Sequence, residues 1–267
     1  MIDGHSGGWQ ALDEELARWA DLGRRCPVWL RDDDAVADTP ALRRLLRLCG
    51  DAGIPLGLAV IAAAAEPSLI DPLAEPAGGR PEVALLVHGW AHANHAAAGE
   101  KKCEFGPGRP AGARRADAVA ALDRLRGLYG ERLLPLFVPP WNRMAPDMPD
   151  LLAGAGFRAV SAFGDRIAAE RPAGLRWLNT HLDLIDWHGG RSAVAPEPLL
   201  DALRRHLADR REGRRDPEEP IGLLTHHLVH DAAIWGLLEA LLDRLAGHPA
   251  LRWPTVPEMM GPEMMGA

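Results

Sequence analysis

Short apolar runs alternate with segments of helical periodicity along most of the chain. Seven apolar runs have the length of buried strands and cover residues 26–31, 54–61, 82–88, 133–139, 157–163, 175–184 and 220–226. Segments with apolar residues at every third or fourth position cover 9–22, 38–53, 115–130, 149–156, 197–212 and 232–247. This alternation predicts a mostly parallel sheet, either open or closed into a barrel, with helices packed against it.

Polar clusters follow five of the predicted strands. They read RDDDA (31–35), HGWAHANH (88–95), PPWNR (139–143), THLDLIDW (180–187) and THHLVHD (225–231). All five lie at carboxyl ends of strands, and in a β/α barrel those ends form one rim, where active sites lie. Residues scattered over a surface would not show this bias. The sequence therefore predicts a barrel with a functional site on that rim.

The second cluster contains two histidines, His88 and His92, four positions apart. On one turn of helix both would lie on the same face, which suits two ligands of one metal ion. The alternative is that they are polar loop residues, or core histidines hydrogen-bonded to their neighbours. Their position on the predicted rim favours the metal site.

Three consecutive carboxylates, Asp32, Asp33 and Asp34, follow the first strand. In an extended stretch Asp32 and Asp34 would face one way and Asp33 the other, unless the strand ends in a turn. The alternative is a plain turn that leads to a helix N-cap at Asp38 or Thr39. Beside paired histidines, two carboxylates suggest two roles. One completes a metal shell of two histidines and one aspartate, and the other stays free as a base.

A metal held by three side chains keeps a position open for water, whose pKa it lowers, and it can polarise a carbonyl group. These are the requirements of metal-assisted hydrolysis. Cleavage of an amide also needs a proton for the leaving amine. His226 or His227, at the end of the last predicted strand, could donate it.

Composition narrows the function classes. The chain is 47% hydrophobic and 25% charged, a globular mixture, and its 267 residues suit one large domain or two small ones. Because no long linker divides it, we expect a single domain over residues 1–267. The net charge of −7 gives no electrostatic case for binding nucleic acid or an anionic membrane. The three cysteines form no disulfide or zinc pattern. No signal peptide is evident, so we expect a cytoplasmic protein, and we expect a flexible tail over residues 257–267.

Five short motifs stand along the chain in this order: RDDDA with Thr39–Pro40, HGWAH, PPWN, DLIDW and LLTHH. They resemble the five motifs of the polysaccharide deacetylases, the NodB homology group within carbohydrate esterase family 4. The resemblance extends over residues 26–231. It implies a distorted β/α barrel of seven or eight strands, a divalent metal ion, and the removal of N- or O-acetyl groups. We therefore expect a metal-dependent hydrolase, a de-N-acetylase of a carbohydrate or of another small acetamido compound.

The resemblance also implies roles for individual residues. The metal ligands are matched by Asp34, His88 and His92, and the catalytic base is matched by Asp33. The backbone N–H that binds the oxyanion belongs to Trp141, and the acid is His226 or its neighbour His227. The fourth motif, whose tryptophan forms an apolar wall, is matched by Asp186 and Trp187. The expected cofactor is one divalent ion, zinc first, with cobalt, iron, manganese and nickel as alternatives.

Two positions depart from the family pattern. Ala35 replaces the glycine of the Asp-Asp-Gly motif, and Val138 stands where the family has an arginine that orients the base. Arg31 or Arg143 would have to take over that role. If neither does, the alternative function is a degenerate barrel that binds a sugar or a metal without turnover. A barrel of the amidohydrolase type is disfavoured, because this chain lacks an HxH pair on the first strand.

We expect the substrate to be a small soluble acetamido compound, such as a sugar derivative, rather than an extracellular polymer. The indoles of Trp90, Trp141 and Trp187 either cover the apolar face of a sugar ring or serve ordinary packing. Other side chains expected to bind the substrate are His95, Asn142, Arg143 and Asp186. The segment GEKKCEFG (99–106) either closes the rim over a small ligand or is a solvated loop. The sequence leaves the oligomeric state open.

Overall fold

The computed structural model describes residues 7–74, 82–165 and 174–261. Helices in these ranges are α1 (Gly7–Asp21), α2 (Pro40–Ala52), α3 (Asp71–Ala74), α4 (Ala111–Tyr129), α5 (Met148–Ala153), α6 (Pro196–Arg211), α7 (Ala232–Leu245) and α8 (Val256–Met260). Strands are β1 (Cys26–Ala35), β2 (Leu56–Val60), β3 (Val83–Val87), β4 (Leu133–Phe137), β5 (Ala159–Val160), β6 (Arg176–Trp177), β7 (Leu182–Asp183), β8 (Ile221–Thr225) and β9 (Leu251–Arg252). As predicted, helices separate most of the strands.

Eight strands form a sheet in the order β6-β5-β4-β3-β2-β1-β8-β7, and β9 also pairs with β1. Each of these strand pairs is parallel. The two ends of the sheet, β6 and β7, belong to one continuous segment, residues 175–184. Leu178 N in this segment donates to Val160 O of β5 (2.9 Å), whereas Leu184 N donates to Leu224 O of β8 (3.2 Å). The sheet therefore curls until both ends meet in this segment. The predicted distorted β/α barrel of mostly parallel strands is confirmed.

Alternate residues of β1 face opposite sides of the barrel wall. Trp29 belongs to a cluster of buried side chains contributed by β2, β3, β4 and β5, which fills the barrel interior. Val28 and Leu30 belong to the larger cluster that the surrounding helices share with the sheet. Because the strands are buried on both faces, their sequences are continuous apolar runs and do not alternate between apolar and polar residues. This alternation along β1 decides where Arg31 and the aspartates that follow it point.

The start of α2 follows one of the two predicted caps. Thr39 Oγ1 accepts the N–H of Leu42 (3.1 Å), and Pro40 is the first helical residue. Asp38 instead receives hydrogen bonds from Arg43. The short connection from β1 to α2 thus has its own capping residue, which leaves the three aspartates of β1 free of a capping role.

The tail differs from the expectation of a flexible segment over residues 257–267. Residues 257–260 belong to α8, whose Met259 and Met260 are buried against Trp29 and the interior cluster. Thr255 and Glu258 cap this helix reciprocally. Residues 262–267 lie outside the described residues. The apolar side chains of the tail therefore serve packing in the part that the structure describes.

None of the helices in the described ranges is long and apolar enough to cross a bilayer. The three cysteines are buried free thiols.

Candidate active site

Backbone strain is concentrated on the rim formed by the carboxyl ends of the strands. The non-glycine residues with a positive φ in the described ranges are Asp34 (71°), His92 (53°), Trp141 (55°), Asn142 (55°) and Arg191 (53°). All of them lie at or after the carboxyl end of β1, β3, β4 or β7. A left-handed backbone costs an L-residue about 1 kcal/mol or more, and such conformations cluster at functional sites. Strain thus marks the rim that the polar clusters predicted.

Three potential metal ligands converge there. Asp34 Oδ1 lies 3.1 Å from His88 Nε2 and 3.4 Å from His92 Nε2, and the three ligand atoms lie within 4.8 Å of one another. A tetrahedral site with bonds of ~2.1 Å has ligand–ligand edges of about 3.4 Å. Asp34 Oδ1 is buried and has no hydrogen-bond donor among the described residues. A buried carboxylate oxygen facing two ring nitrogens fits a divalent cation.

Contacts behind the ligands fix the orientation of one ring. His88 is 1% exposed, and its Nδ1 lies 3.1 Å from Val138 O. Because a carbonyl only accepts, Nδ1 carries the proton and the lone pair of Nε2 points to Asp34. Val138, which stands where the resembled family has an arginine, therefore contributes its backbone carbonyl to the site.

The electrostatics of the three ligands favour a positive charge between them. Burial would raise the pKa of Asp34, but the close approach of His88 outweighs it and holds that pKa well below its usual range. Burial would lower the pKa of His88, but the carboxylates of Asp33 and Asp34 raise it above its ordinary value. Burial and the neighbouring His88 lower the pKa of His92.

An arginine of β1 itself holds Asp33. Arg31 and Asp33 point to the same side of the strand, and Arg31 Nε and Nη2 donate to the two carboxylate oxygens at 2.8 and 2.9 Å. Arg31 also donates to Asn142 Oδ1 (2.7 Å) and to Ser161 Oγ (2.6 Å). Arg31 is 0% and Asp33 1% exposed, so a bidentate ion pair is held inside the barrel mouth. Of the two arginines named from the sequence, Arg31 is the one beside Asp33.

Asp32 points the other way, as the strand alternation predicted, and pairs with His227. Asp32 Oδ1 lies 2.5 Å from His227 Nδ1, and Asp32 Oδ2 accepts from Thr225 Oγ1 (2.7 Å) and His227 N (2.8 Å). Burial alone would raise the pKa of Asp32, but the charge and hydrogen bonds of His227 and Thr225 lower it. Asp34 departs from the alternation because its left-handed backbone turns its carboxylate to the side of Asp33.

Replacing Asp32 with asparagine should lower the free energy of unfolding by about 3 kcal/mol, because one partner of a buried pair is lost. This is the low end of the range for such pairs, since the amide oxygen can still accept one hydrogen bond. Urea denaturation measures the change. Asp201→Asn is the control, since that carboxylate pairs with Arg204 on the surface. Equal midpoints for Asp32→Asn and the parent would show that the pair does not stabilise the barrel.

His226 lies on the side of Asp33. Its Nε2 is 4.0 Å from Asp33 Oδ2, and its ring contacts Trp187 with centroids 4.8 Å apart. Trp187 Nε1 in turn donates to Asp183 Oδ2 (2.9 Å). Burial raises the pKa of Asp183, while the nearby His226 acts in the opposite direction. The two candidate acids are thus on different sides of β1: His226 faces Asp33, and His227 is bound to Asp32.

The fourth motif contributes a different carboxylate from the one expected. We expected Asp186 to bind the substrate, but Asp186 Oδ1 accepts the N–H groups of His188 (3.2 Å) and Gly189 (2.8 Å). An aspartate at the start of a turn commonly accepts hydrogen bonds from the backbone N–H groups of the residues that follow it. The carboxylate that interacts with both His226 and Trp187 belongs to Asp183, three residues earlier.

His88 and His92, the two candidate metal ligands, are brought together by a loop and not by the helical turn considered from the sequence. Glu104 is 1% exposed, and its carboxylate accepts the N–H groups of Trp90 (3.3 Å), Ala91 (2.7 Å) and Ala93 (3.5 Å). Gly89 has a φ of 59°, and a Cβ there would lie 2.5 Å from the Pro140 ring. The buried carboxylate and the glycine therefore shape the turn between the two ligands.

Of the other residues expected to contact a substrate, some lie at the site and others do not. Trp90 packs against the hydrophobic core, which agrees with the packing alternative for that residue. Trp141 lies over the site, with its ring 4.2 Å from the His92 ring. His95 is exposed, and its N–H donates to Cys103 O (3.0 Å). Arg143 is exposed and donates to Lys102 O (3.2 Å), whereas Asn142 supports Arg31.

An apolar arc borders the site on the other side. The large hydrophobic residues exposed in the described ranges are Leu22, Phe163, Trp187, Leu228 and Val229. All but Leu22 follow β5, β7 or β8. β7 pairs with β8, and β5 pairs with β6, which lies in the same segment of the chain as β7. The rim is therefore apolar near His226 and polar near His92.

Comparisons with known proteins give a match only at the level of structure. No protein-family model matches the chain, and no curated protein sequence matches it. The "putative polysaccharide deacetylase from Mycobacterium smegmatis" has 17% identity and a TM-score of 0.64, with 89% of this chain and 90% of that chain covered. A CE4 esterase from Streptococcus mutans has 12% identity and a TM-score of 0.53, with 88% and 89% covered.

A family 4 carbohydrate esterase from Streptomyces lividans, solved with acetate, has 16% identity and a TM-score of 0.51, with 84% of this chain and 90% of that chain covered. At these identities the likeness concerns the fold. It agrees with the resemblance seen in the five sequence motifs. The chain therefore has the fold of the polysaccharide deacetylases and family 4 carbohydrate esterases.

Proposed function

We propose that this protein is a metal-dependent hydrolase that removes the acetyl group from a small N-acetylated carbohydrate. The observation that carries the proposal is the convergence of Asp34, His88 and His92 beside the buried Arg31–Asp33 pair. These groups lie on the rim of a barrel whose fold is that of known deacetylases.

The ligand set supports a divalent ion. Two imidazoles and one carboxylate suit zinc, and they also suit cobalt, iron, manganese or nickel. An ion held there supplies Lewis acidity, which polarises a carbonyl group and makes water a stronger acid. The chain's own part is to hold His88 in one tautomer through Val138 O and to aim Asp34 by its left-handed backbone.

Asp33 is the proposed base. Both of its oxygens accept hydrogen bonds from Arg31, and this bidentate contact fixes the direction of the carboxylate. Arg31 therefore supplies what the family arginine would have supplied from the position of Val138. This contact removes the main argument for a degenerate barrel without turnover.

His226 is the proposed acid for the leaving amine. It lies across the site from the metal ligands, 4.0 Å from Asp33, with Trp187 against its ring and Asp183 nearby. Trp187 is held by its hydrogen bond to Asp183, so it forms a fixed apolar wall beside the acid. The strained Trp141–Asn142 turn is the proposed source of the backbone N–H for the oxyanion.

The rim supports a small amphipathic substrate. The Trp141 indole beside His92 offers a flat face for a sugar ring, and Trp187 with Phe163 offers apolar surface on the opposite side. The loop 99–106 is tied to the rim on the side of His92 through Glu104 and Cys103. A loop held there suits a monosaccharide derivative better than a long polymer, which needs an open groove.

Acetate release from N-acetylated monosaccharides, measured before and after zinc is removed and restored, tests the proposal. We expect hydrolysis that depends on the metal and does not rise with oligomer length. Chitin oligomers of increasing length are the comparison. A zinc-loaded, folded protein that releases no acetate from any acetamide would contradict the proposed function and would favour a non-catalytic binder.

The two adjacent histidines should respond differently to replacement by glutamine. His226→Gln should lower kcat by about 10²–10⁴-fold with little change in stability, because a positioned acid is lost. His227→Gln should lower the free energy of unfolding, because Asp32 loses its buried partner. Steady-state kinetics and urea denaturation of both variants measure these effects. The assignment of the acid would have to be reversed if His227→Gln were inactive but stable, and His226→Gln active.

A further inference from the structure

The chain uses lysine at one place only. Its 30 lysine and arginine residues include two lysines, Lys101 and Lys102, which are adjacent. Both are exposed and lie in the loop that leads from the metal ligands to α4. Lysine differs from arginine in presenting a compact ammonium group, which binds phosphate or carboxylate as a point charge.

The backbone of Lys102 is fixed between two loops of the rim. Lys102 O accepts a hydrogen bond from Arg143 Nη1 (3.2 Å), in the loop after β4. The next residue, Cys103, donates its N–H to Asn94 Oδ1 (3.0 Å), in the loop after β3. Cys103 Sγ also donates to Arg143 O (3.3 Å). Lys102 is therefore held at the junction of the two loops that carry His92 and Trp141.

The ammonium of Lys102 lies at the mouth of the site. Its Nζ is 5.9 Å from the centroid of the Trp141 ring, which in turn lies 4.2 Å from the His92 ring. In the described ranges, no ion pair is formed by Lys102, and the neighbouring Glu100 accepts the N–H of Ala97 instead. Lys101 has no such ring contact among the described residues.

This ammonium is not needed to balance the charges of the site. The carboxylate of Asp33 is already paired with Arg31, and Asp34 faces the two metal histidines. A protein of net charge −7 repels anions at a distance, so an anionic substrate would need a local cation to hold it at the mouth. An unpaired ammonium on a fixed loop beside the aromatic platform meets this need.

We infer that Lys102 forms a subsite for an anionic group, a phosphate or a carboxylate, carried by the substrate on the Trp141 side of the rim. The inference rests on the proposed function for its choice of an acetamido sugar. It names the substrate class more narrowly as an acidic acetamido sugar.

The test compares N-acetylglucosamine with its 1-phosphate, its 6-phosphate and N-acetylmuramic acid. For each zinc-loaded variant, the measured quantity is the ratio of kcat/KM for the acidic sugar to kcat/KM for the neutral one. We expect the ratio to fall about tenfold in Lys102→Ala, which corresponds to the loss of one charged contact, and to be partly retained in Lys102→Arg. The acidic sugar with the highest ratio shows whether phosphate or carboxylate is the preferred group.

Lys101→Ala is the matched control, because it removes the same charge one residue away. A subsite predicts that this control keeps the ratio of the parent. An equal fall in both variants would overturn the inference in favour of a long-range charge effect, and so would an unchanged ratio in Lys102→Ala.

Binding separates this inference from the proposed function. Calorimetry with zinc-loaded Asp33→Asn should show tighter binding of the acidic sugar than of the neutral one, and the added Lys102→Ala change should remove the difference. If binding shows this preference but the zinc-loaded parent protein releases no acetate from any sugar, the subsite is supported and the proposed hydrolase function is contradicted. Turnover of the neutral sugar with no preference for acidic ones would support the proposed function and overturn the subsite. The absence of binding of every acidic sugar would also overturn the subsite.

Discussion

Replacing His92 with alanine should leave a folded protein that retains no divalent ion after dialysis and has no measurable deacetylase activity. His92 provides one of the three ligand atoms, and two remaining ligands hold an ion poorly. Loss of a group that only supports a ligand already costs about 10–100-fold in affinity or activity, so loss of a ligand should cost more. Elemental analysis of the dialysed protein and acetate release measure the two effects.

His92 is the ligand best suited to this experiment, because its removal should not disturb the core. Its side chain is 23% exposed, whereas the side chain of His88 is 2% exposed. His95→Ala is the control for metal content, since His95 lies in the same loop and is not one of the three ligands. If His92→Ala and the parent held equal amounts of metal, the proposed metal site would be wrong.

Replacing Asp33 with asparagine should lower kcat by about 10²–10⁴-fold while the protein keeps its metal. An amide cannot accept the proton of the attacking water, although it has nearly the shape of the carboxylate. The metal ligands do not include Asp33, so metal content should match that of the parent. Acetate release under substrate saturation, together with elemental analysis, measures both quantities.

The same substitution leaves Arg31 with a weaker partner, and stability must be measured beside activity. Arg31 is buried and would lose its counterion, although Asn142 and Ser161 still accept from it. Asn142→Ala is a matched variant, because it removes a different partner of Arg31 and leaves the carboxyl group of Asp33 in place. Full activity of a stably folded Asp33→Asn protein would remove Asp33 from the mechanism.

The fold, and the convergence of the three candidate metal ligands, could be predicted from sequence for a physical reason. Strands buried on both faces must be apolar runs, so those of the barrel are visible in the sequence, and their polar ends mark the rim. The alternation along β1 also predicts that Arg31 and Asp33 share a face. That signal favours Arg31 over Arg143 as the partner of Asp33 where the family motif gives no guidance, because this chain has Val138 in place of the family's arginine.

Other features depend on backbone conformation that the residue pattern does not reveal. Asp34 joins the side of Asp33 only because of its positive φ, and nothing in RDDDA predicts that turn. Glu104 looked like a residue of a solvated or substrate-binding loop, but it is buried beneath the loop between His88 and His92. Asp183 and Asp186 are both aspartates of the same motif, so residue type alone does not distinguish them. In the structure Asp186 accepts hydrogen bonds from its own turn.

The pairing of β1 with β8 determines when the candidate active site can form during synthesis. The partners of Asp32, Thr225 and His227, are separated from it by 193 and 195 residues. At about 5–20 residues per second, a ribosome needs roughly 10–40 s to cover that distance. Until then Asp32 has no buried partner and β1 has a free edge. The chain can therefore complete the candidate site only after β8 has been synthesised, and a nascent chain that stops before β8 has neither the proposed acid nor a closed barrel.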